Sequence, residues 1–182
     1  MKGFTLVETL VVATLLAIML AMAMPSMRRM VLENRLSGHV NELIAANLLA
    51  RSEAIACGCL VTICRSVNAE SGSNACSSQA SGDRDSNDWA VGWLVFMENG
   101  TASAGLGVVD PGERILLRQA AFSGKAHSLA SAKKISYNGM GEPIGSVTGA
   151  HFIFNIDGEL NRIVCMTRTG RIRVILDAVK CS

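Results

Sequence analysis

Residues 2–9 read Lys2-Gly3-Phe4-Thr5-Leu6-Val7-Glu8-Thr9 and open a run of 21 residues, Phe4 to Met24, broken only by Thr5, Glu8, Thr9 and Thr14. Lys2 is the only basic residue before Arg28 and Arg29. As a helix rising about 1.5 Å per residue the run would reach about 31 Å, the thickness of a bilayer's hydrocarbon core. A secretory signal peptide would have this short basic start, this apolar stretch and a small-x-small cleavage site at Ala21-Met22-Ala23. A plain membrane anchor would have the same length. Neither accounts for Glu8, because an ionisable group at the centre of an apolar span costs about 2.5–3.5 kcal/mol on insertion scales. Glu8 is therefore a functional residue by default.

The remainder of the chain narrows the class. Its 182 residues are 49 % apolar and 18 % charged, with mean hydropathy +0.33. That excludes a wholly disordered chain and a polytopic membrane protein. Aromatic residues make up only 4 %, so the core must be largely aliphatic. The net charge of +2 conceals a polarity along the chain. Residues 60–113 carry −5 and residues 114–182 carry +6, so the basic end is the C-terminus.

The segment Lys2–Glu8 resembles the class III signal of type IV pilins and type II secretion pseudopilins. In that family a prepilin peptidase cuts after the glycine and methylates the new terminus, which implies cleavage between Gly3 and Phe4 and N-methylation of Phe4. The leader of three residues is at the short end for the family, and Pro25 falls where members carry a helix-kinking proline. Glu8, fifth in the mature chain, would pair with the free amine of Phe4 on a neighbouring subunit, compensating buried charge and setting axial register. The implied organisation is a leader at 1–3, a transmembrane helix at 4–27, its periplasmic continuation at 28–56 and a β-rich head at 57–182. The protein would be a single-pass protein of the bacterial inner membrane, its head in the periplasm, assembled into a pilus tip or a pseudopilus.

After Pro25 the periodicity remains helical. Leu36, Val40, Leu43, Ile44, Leu48 and Ile55 recur at three- and four-residue steps and predict a core-facing stripe. Ala50-Arg51-Ser52-Glu53-Ala54 resembles the segment that ends the long helix in the GspH/FimT branch of the family. Beyond Cys57 the pattern alternates, predicting strands at 60–65, 91–97, 114–118, 133–137, 151–156, 162–168 and 171–176. The expected fold is thus α+β and type IV pilin-like, a long N-terminal helix packed on a small antiparallel β-sandwich. Residues 66–88, with seven serines among 23 residues, read as an exposed loop, mobile or functional. Trp89 and Trp93 lie in a W-x-x-G-W segment similar to one found in the family and read as structural.

Six cysteines behind an export signal imply disulfides. Cys165 and Cys181 bracket the last hairpin, as a similar pair does in minor pilins, and their bridge would stabilise by about 3 kcal/mol on the loop-entropy model. Cys64 and Cys76 would close the base of the polar loop. Cys57 and Cys59 are left over, free or bonded elsewhere, since a bridge between residues two apart is strained. Zinc at Cys57, Cys59, Cys64 and Cys76 is the rival, but the spacing matches no usual paired knuckle.

Enzyme chemistry has little support: the chain lacks G-x-S-x-G, a P-loop, C-x-x-C and H-E-x-x-H, and His39, His127 and His151 are scattered. No cofactor or metal is expected. The basic C-terminus is more specific. Arg171 and Arg173, two apart after a turn at Thr169-Gly170, would project from one strand face about 6.6 Å apart, with Ile172 and Val174 on the other. With Arg168 across the turn they have the spacing to engage successive phosphates, and ordinary polar-out alternation on an exposed hairpin gives the same pattern. Gly170-Arg171-Ile172-Arg173 resembles the GRxR motif of FimT-type minor pilins that bind DNA in natural transformation. The implied function is a minor type IV pilin acting in pilus assembly and in sequence-nonspecific DNA binding through Arg168, Gly170, Arg171 and Arg173. Its partners would be other minor and major pilins, the prepilin peptidase, the inner membrane and DNA. The alternative is a minor pseudopilin of a type II secretion system, without nucleic acid.

Overall fold

The first helix starts on a local cap. Glu8 N donates to the Thr5 carbonyl at 3.1 Å and to Thr5 Oγ1 at 3.3 Å, and α1 follows as Leu6–Cys57 with Glu8 in its first turn. Threonine followed three residues later by glutamate is a capping pattern, and a carboxylate there also suits the positive end of the helix dipole. The computed structural model describes residues 3, 5–99, 109–110, 112–145, 150–158, 160–176 and 181, with backbone alone at 22–26. It divides into two compact units, residues 1–35 and 36–182.

In the first unit α1 passes Pro25 without a break. Its large apolar side chains from Leu6 to Leu20 are exposed, and Arg29 Nε pairs with Glu33 one turn on at 3.0 Å. Among the described residues no helix is long and apolar enough to cross a membrane. Of the expected span 4–27, Phe4 and the side chains of 22–26 lie outside the described residues.

In the second unit the buried stripe of α1 runs through Leu36, Val40, Leu43, Asn47, Ala50 and Ala54, three or four residues apart. Leu48 and Ile55, expected in this stripe, are instead 58 % and 53 % exposed. The line is continued by the buried alanines Ala46, Ala50 and Ala54. Asn47 is buried yet satisfied: Nδ2 donates to the Leu43 carbonyl at 2.8 Å, and Oδ1 accepts from Tyr137 Oη at 3.0 Å.

Among the described residues nine strands form two antiparallel sheets. The first contains β1 (Leu60–Arg65), β2 (Trp93–Glu98), β3 (Arg114–Gln119), β5 (Lys134–Tyr137) and β6 (Pro143–Ile144) in the order β3-β2-β1-β5-β6. The second contains β4 (Ala126–Ala130), β7 (His151–Ile156), β8 (Leu160–Met166) and β9 (Ile172–Leu176) in the order β4-β7-β8-β9. Helix α1 bonds to both: Tyr137 of β5 reaches Asn47, and Arg162 Nη1 of β8 donates to Ser37 Oγ at 2.6 Å. Trp89 and Trp93 are fully buried, and Trp89 stands edge-on to Phe152 with centroids 5.1 Å apart. The first expected residue of β2 is part of a 3-10 turn, Trp89–Val91, capped by Asp88. Strand β4 was not predicted, because Ala-His-Ser-Leu-Ala lacks the β-branched residues that mark strands.

Residues 66–88 form an ordered loop. The fully buried Arg65 donates from Nε to the Asp88 carbonyl at 2.7 Å, from Nη1 to Ser77 O at 3.1 Å and from Nη2 to Asp85 O at 3.2 Å. Arg118 Nη1 donates to the carbonyls of Ala69 and Ser73 at 3.2 and 2.6 Å, and its Nη2 donates to Asn74 Oδ1. Cys64 and Cys76 are joined across a Cα separation of 5.5 Å. Several of the loop's carbonyls are thus paired by Arg65 at its start and by Arg118, distant in sequence, which a serine-rich composition does not disclose.

Candidate nucleic-acid interface

Strands β8 and β9 form the last hairpin, turning through Thr167–Arg171. Thr167 N donates to the Arg171 carbonyl and Gly170 N to the Thr167 carbonyl, both at 2.9 Å. Thr167 Oγ1 accepts from Arg171 N at 3.1 Å and lies 3.0 Å from Thr169 Oγ1. Gly170 is buried with φ +77°, and a Cβ there would stand 3.3 Å from Pro143 Cδ and 3.4 Å from Arg51 Nη1. Both the left-handed backbone and the close approach require glycine. The first residue of the GRxR motif is therefore structural, and it fixes where the arginines begin.

Arg168, Arg171 and Arg173 are all exposed around this turn. Among the described residues no ion pair engages any of the three, whereas Arg84 Nη1 meets Asp88 Oδ2 at 3.2 Å and Arg29 meets Glu33. Register pairs Ile172 with Met166, Arg173 with Cys165 and Val174 with Val164. Opposed residues share a sheet face, so Ile172 and Val174 lie on the side of the buried Val164 and Met166, and Arg173 lies on the other. Two expectations need correction. Arg171 precedes β9 and belongs to the turn, and Val174 is 41 % exposed because β9 is the edge of its sheet.

Cys165 and Cys181 are joined with Cα atoms 5.8 Å apart. Since Cys165 opposes Arg173, the bridge stands on the Arg173 side of the sheet. Residues 177–180, Lys180 among them, lie outside the described residues.

Two contributors to the turn were not singled out from the sequence. Thr167 staples it, for which the Thr-x-Thr-Gly pattern is a weak turn signal. Arg51, on the helix, lies against both Gly141 and Gly170. Its charge partly offsets the burial that pushes the Tyr137 hydroxyl up to about 12.

The other predicted positions are separate from this hairpin. Gly3 and Glu8 are exposed at the start of α1, and Phe4 is outside the described residues. Cys57 and Cys59, expected free or bonded elsewhere, are joined to each other with Cα atoms 5.1 Å apart. His39 stacks on Phe122 with centroids 3.8 Å apart, and His127 Nδ1 lies 2.7 Å from Asp88 Oδ2. Burial alone would raise the Asp88 carboxyl, but donation from Ser128 N, Ala90 N and His127, with the Arg84 charge, holds it below its ordinary value. Among the described residues no group of histidine, cysteine and acidic side chains is placed to hold a metal ion.

Residues 39–170 match the family model described as type II transport protein GspH. The chain belongs to that family. Residues 1–24 match a second model, the prokaryotic N-terminal methylation motif. Two crystal structures of the type IV minor pilin FimU from Pseudomonas aeruginosa PAO1 share the fold. One has TM-score 0.54 and 20 % identity, covering 80 % of this chain and 90 % of that one. The other has TM-score 0.52 and 18 % identity, covering 80 % and 96 %. No curated protein matches the chain. This GspH-family protein is a minor pilin or pseudopilin, of a class of structural subunits that are membrane-anchored and assembled into pili or pseudopili.

Proposed function

We propose that this minor pilin works in a type IV pilus and binds the phosphate backbone of DNA, as in natural transformation, through Arg168, Arg171 and Arg173. The observation that carries the reading is three exposed arginines, unpaired among the described residues, around a turn fixed by Gly170 and Thr167. Guanidinium groups held without acidic partners suit phosphate oxygens, and such contacts carry no base sequence. On this reading the prepilin peptidase removes Met1–Gly3 and methylates Phe4. The 21 residues from Phe4 to Met24 cross the inner membrane once, and the head stands in the periplasm. Glu8 pairs with a neighbouring subunit's terminal amine during incorporation among other minor and major pilins.

The test is a fluorescence titration of the full-length protein in detergent with double-stranded DNA of unrelated sequences at low salt. The proposal expects similar affinities for all sequences, and a loss of at least about tenfold in Arg171→Gln/Arg173→Gln. Equal binding by both proteins, or none by either, would refute it. A second reading, a minor pseudopilin of a type II secretion system, is favoured by the family description over residues 39–170. Refutation of DNA binding would make it the better account.

A further inference from the structure

The junction between α1 and β1 carries chemistry that neither pilus assembly nor DNA binding uses. Cys57 is the last residue of α1, Cys59 immediately precedes β1, and their sulfurs are bonded. Cys57 and Gly58 are exposed and Cys59 is half-buried. Each of the other two bridges has one end in the core, Cys64 at 0 % and Cys165 at 8 % exposed, with Cys76 half-buried and Cys181 exposed at the other ends.

We propose that Cys57–Cys59 is a thiol–disulfide exchange site for a soluble dithiol, opening and closing while the other two bridges remain shut. Access is the first reason, because exchange requires a thiolate to approach a sulfur, and exposed bridges are the labile ones. The second is how each pair is held. Cys64 and Cys76 stay together through contacts of their neighbours, with Ser77 N donating to the Arg65 carbonyl at 2.8 Å and Ser66 Oγ to the Ala75 carbonyl at 2.8 Å. A reduced Cys64–Cys76 pair would therefore be held facing and reclose. Cys57 and Cys59 are spaced by Gly58 alone, which lies against the Gly139 backbone, and among the described residues no hydrogen bond from a neighbouring strand or loop holds their sulfurs together.

Opening the bridge leaves the fold intact. Gly58 has φ +65°, the left-handed conformation in which helices commonly end without any disulfide. The chemistry is a two-step exchange. A thiolate of the dithiol attacks the exposed Cys57 Sγ, forming a mixed disulfide, and the electron pair of the broken bond leaves on Cys59 Sγ. The second thiolate of the dithiol then attacks its own mixed-disulfide sulfur and expels Cys57 as thiolate. Cys59 N, which donates to Cys57 Sγ at 3.2 Å, stabilises that leaving group. The dithiol departs as a disulfide, having given two electrons, and water protonates the cysteines to the extent their pKa values set.

The test uses the full-length protein in detergent, equilibrated with graded dithiothreitol, quenched with an alkylating reagent and mapped by mass spectrometry. Cys57 and Cys59 should become labelled together at a dithiothreitol concentration at least about tenfold below that needed for the other four cysteines. Exchange into oxidised dithiothreitol should restore the bridge, the two electrons returning to the reagent's disulfide. In Cys59→Ser, Cys57 should form a mixed disulfide with added glutathione disulfide, releasing one glutathione thiolate, while Cys64–Cys76 and Cys165–Cys181 remain closed. Labelling of Cys57 and Cys59 before any reductant is added would overturn the proposal, as would reduction of all three bridges together.

Discussion

Two groups of arginines in the same domain have opposite uses. The buried Arg65, the half-buried Arg84 and the exposed Arg118 are all tied down around the 66–88 loop, their donors meeting backbone carbonyls, the Asp88 carboxylate or the Asn74 side chain. Arg168, Arg171 and Arg173 turn outward from the last hairpin and meet no acidic partner among the described residues. The residue type is the same in both regions, and what differs is the backbone beneath. A long loop of polar residues needs its carbonyls paired when it lies against a core. A tight hairpin pairs its own carbonyls, as Thr167 and Arg171 do, and among the described residues its guanidinium groups have no ion-pair partner. An arginine's role is therefore set by whether the nearby backbone is self-sufficient.

The largest expected effect is at Arg65. Arg65→Met leaves three carbonyls without their donor and should destabilise by about 3–4 kcal/mol, read as a lower urea midpoint at unchanged slope. A loss below about 1 kcal/mol would show that the loop does not depend on it.

Asp88 follows. Asp88→Asn loses the Arg84 pair and the charged acceptor of His127 and should cost about 2 kcal/mol at neutral pH. The pH dependence has a definite sign. The folded carboxyl lies below its ordinary value, so its contribution is complete above the unfolded value of about 4 and fades as pH falls through the folded one. Unfolding free energy measured from pH 6 downward should therefore drop less in Asp88→Asn than in the wild type. Parallel curves would remove Asp88 from the inward network.

Gly170→Ala sharpens the comparison from the other side. Its φ of +77° and the Pro143 contact at 3.3 Å predict a cost of about 1–2 kcal/mol, with weakened DNA binding because the turn carrying Arg171 shifts. Stability lost without any change in binding would separate the turn's shape from the site.

Much of this was legible in the chain, for identifiable reasons. The N-terminal signal is contiguous, so Gly3, Phe4 and Glu8 could be read together, and alternation located β1 and β7 at the limits the structure gives them. The exposed hairpin arginines were read from the Thr-Gly turn signal and the basic cluster around it, although Arg171 sits in the turn and burial along β9 does not alternate. What escaped is non-local or small. Arg65 reads as an ordinary strand residue until Asp88, Asp85 and Ser77 are brought to it. The helix stripe continues in Ala50 and Ala54, which carry a weaker hydrophobic signal than Leu48 and Ile55. Thr5, next to the conspicuous Glu8, was passed over although the pair is a capping pattern.

The smallest expected effects on stability separate the two arginine groups most cleanly. Arg118→Gln should cost about 1 kcal/mol by freeing the Ala69 and Ser73 carbonyls, and Arg171→Gln/Arg173→Gln should change stability by less than about 0.5 kcal/mol. The decisive measurement is the salt dependence of DNA affinity in these two variants and the wild type, as full-length proteins. A phosphate contact contributes about 0.9 to the slope of log affinity against log salt. The outward arginines predict a slope shallower by about two contacts in Arg171→Gln/Arg173→Gln and an unchanged slope in Arg118→Gln. Equal slopes in all three proteins, or an equal loss in both variants, would contradict the division between arginines paired to the loop and arginines unpaired among the described residues.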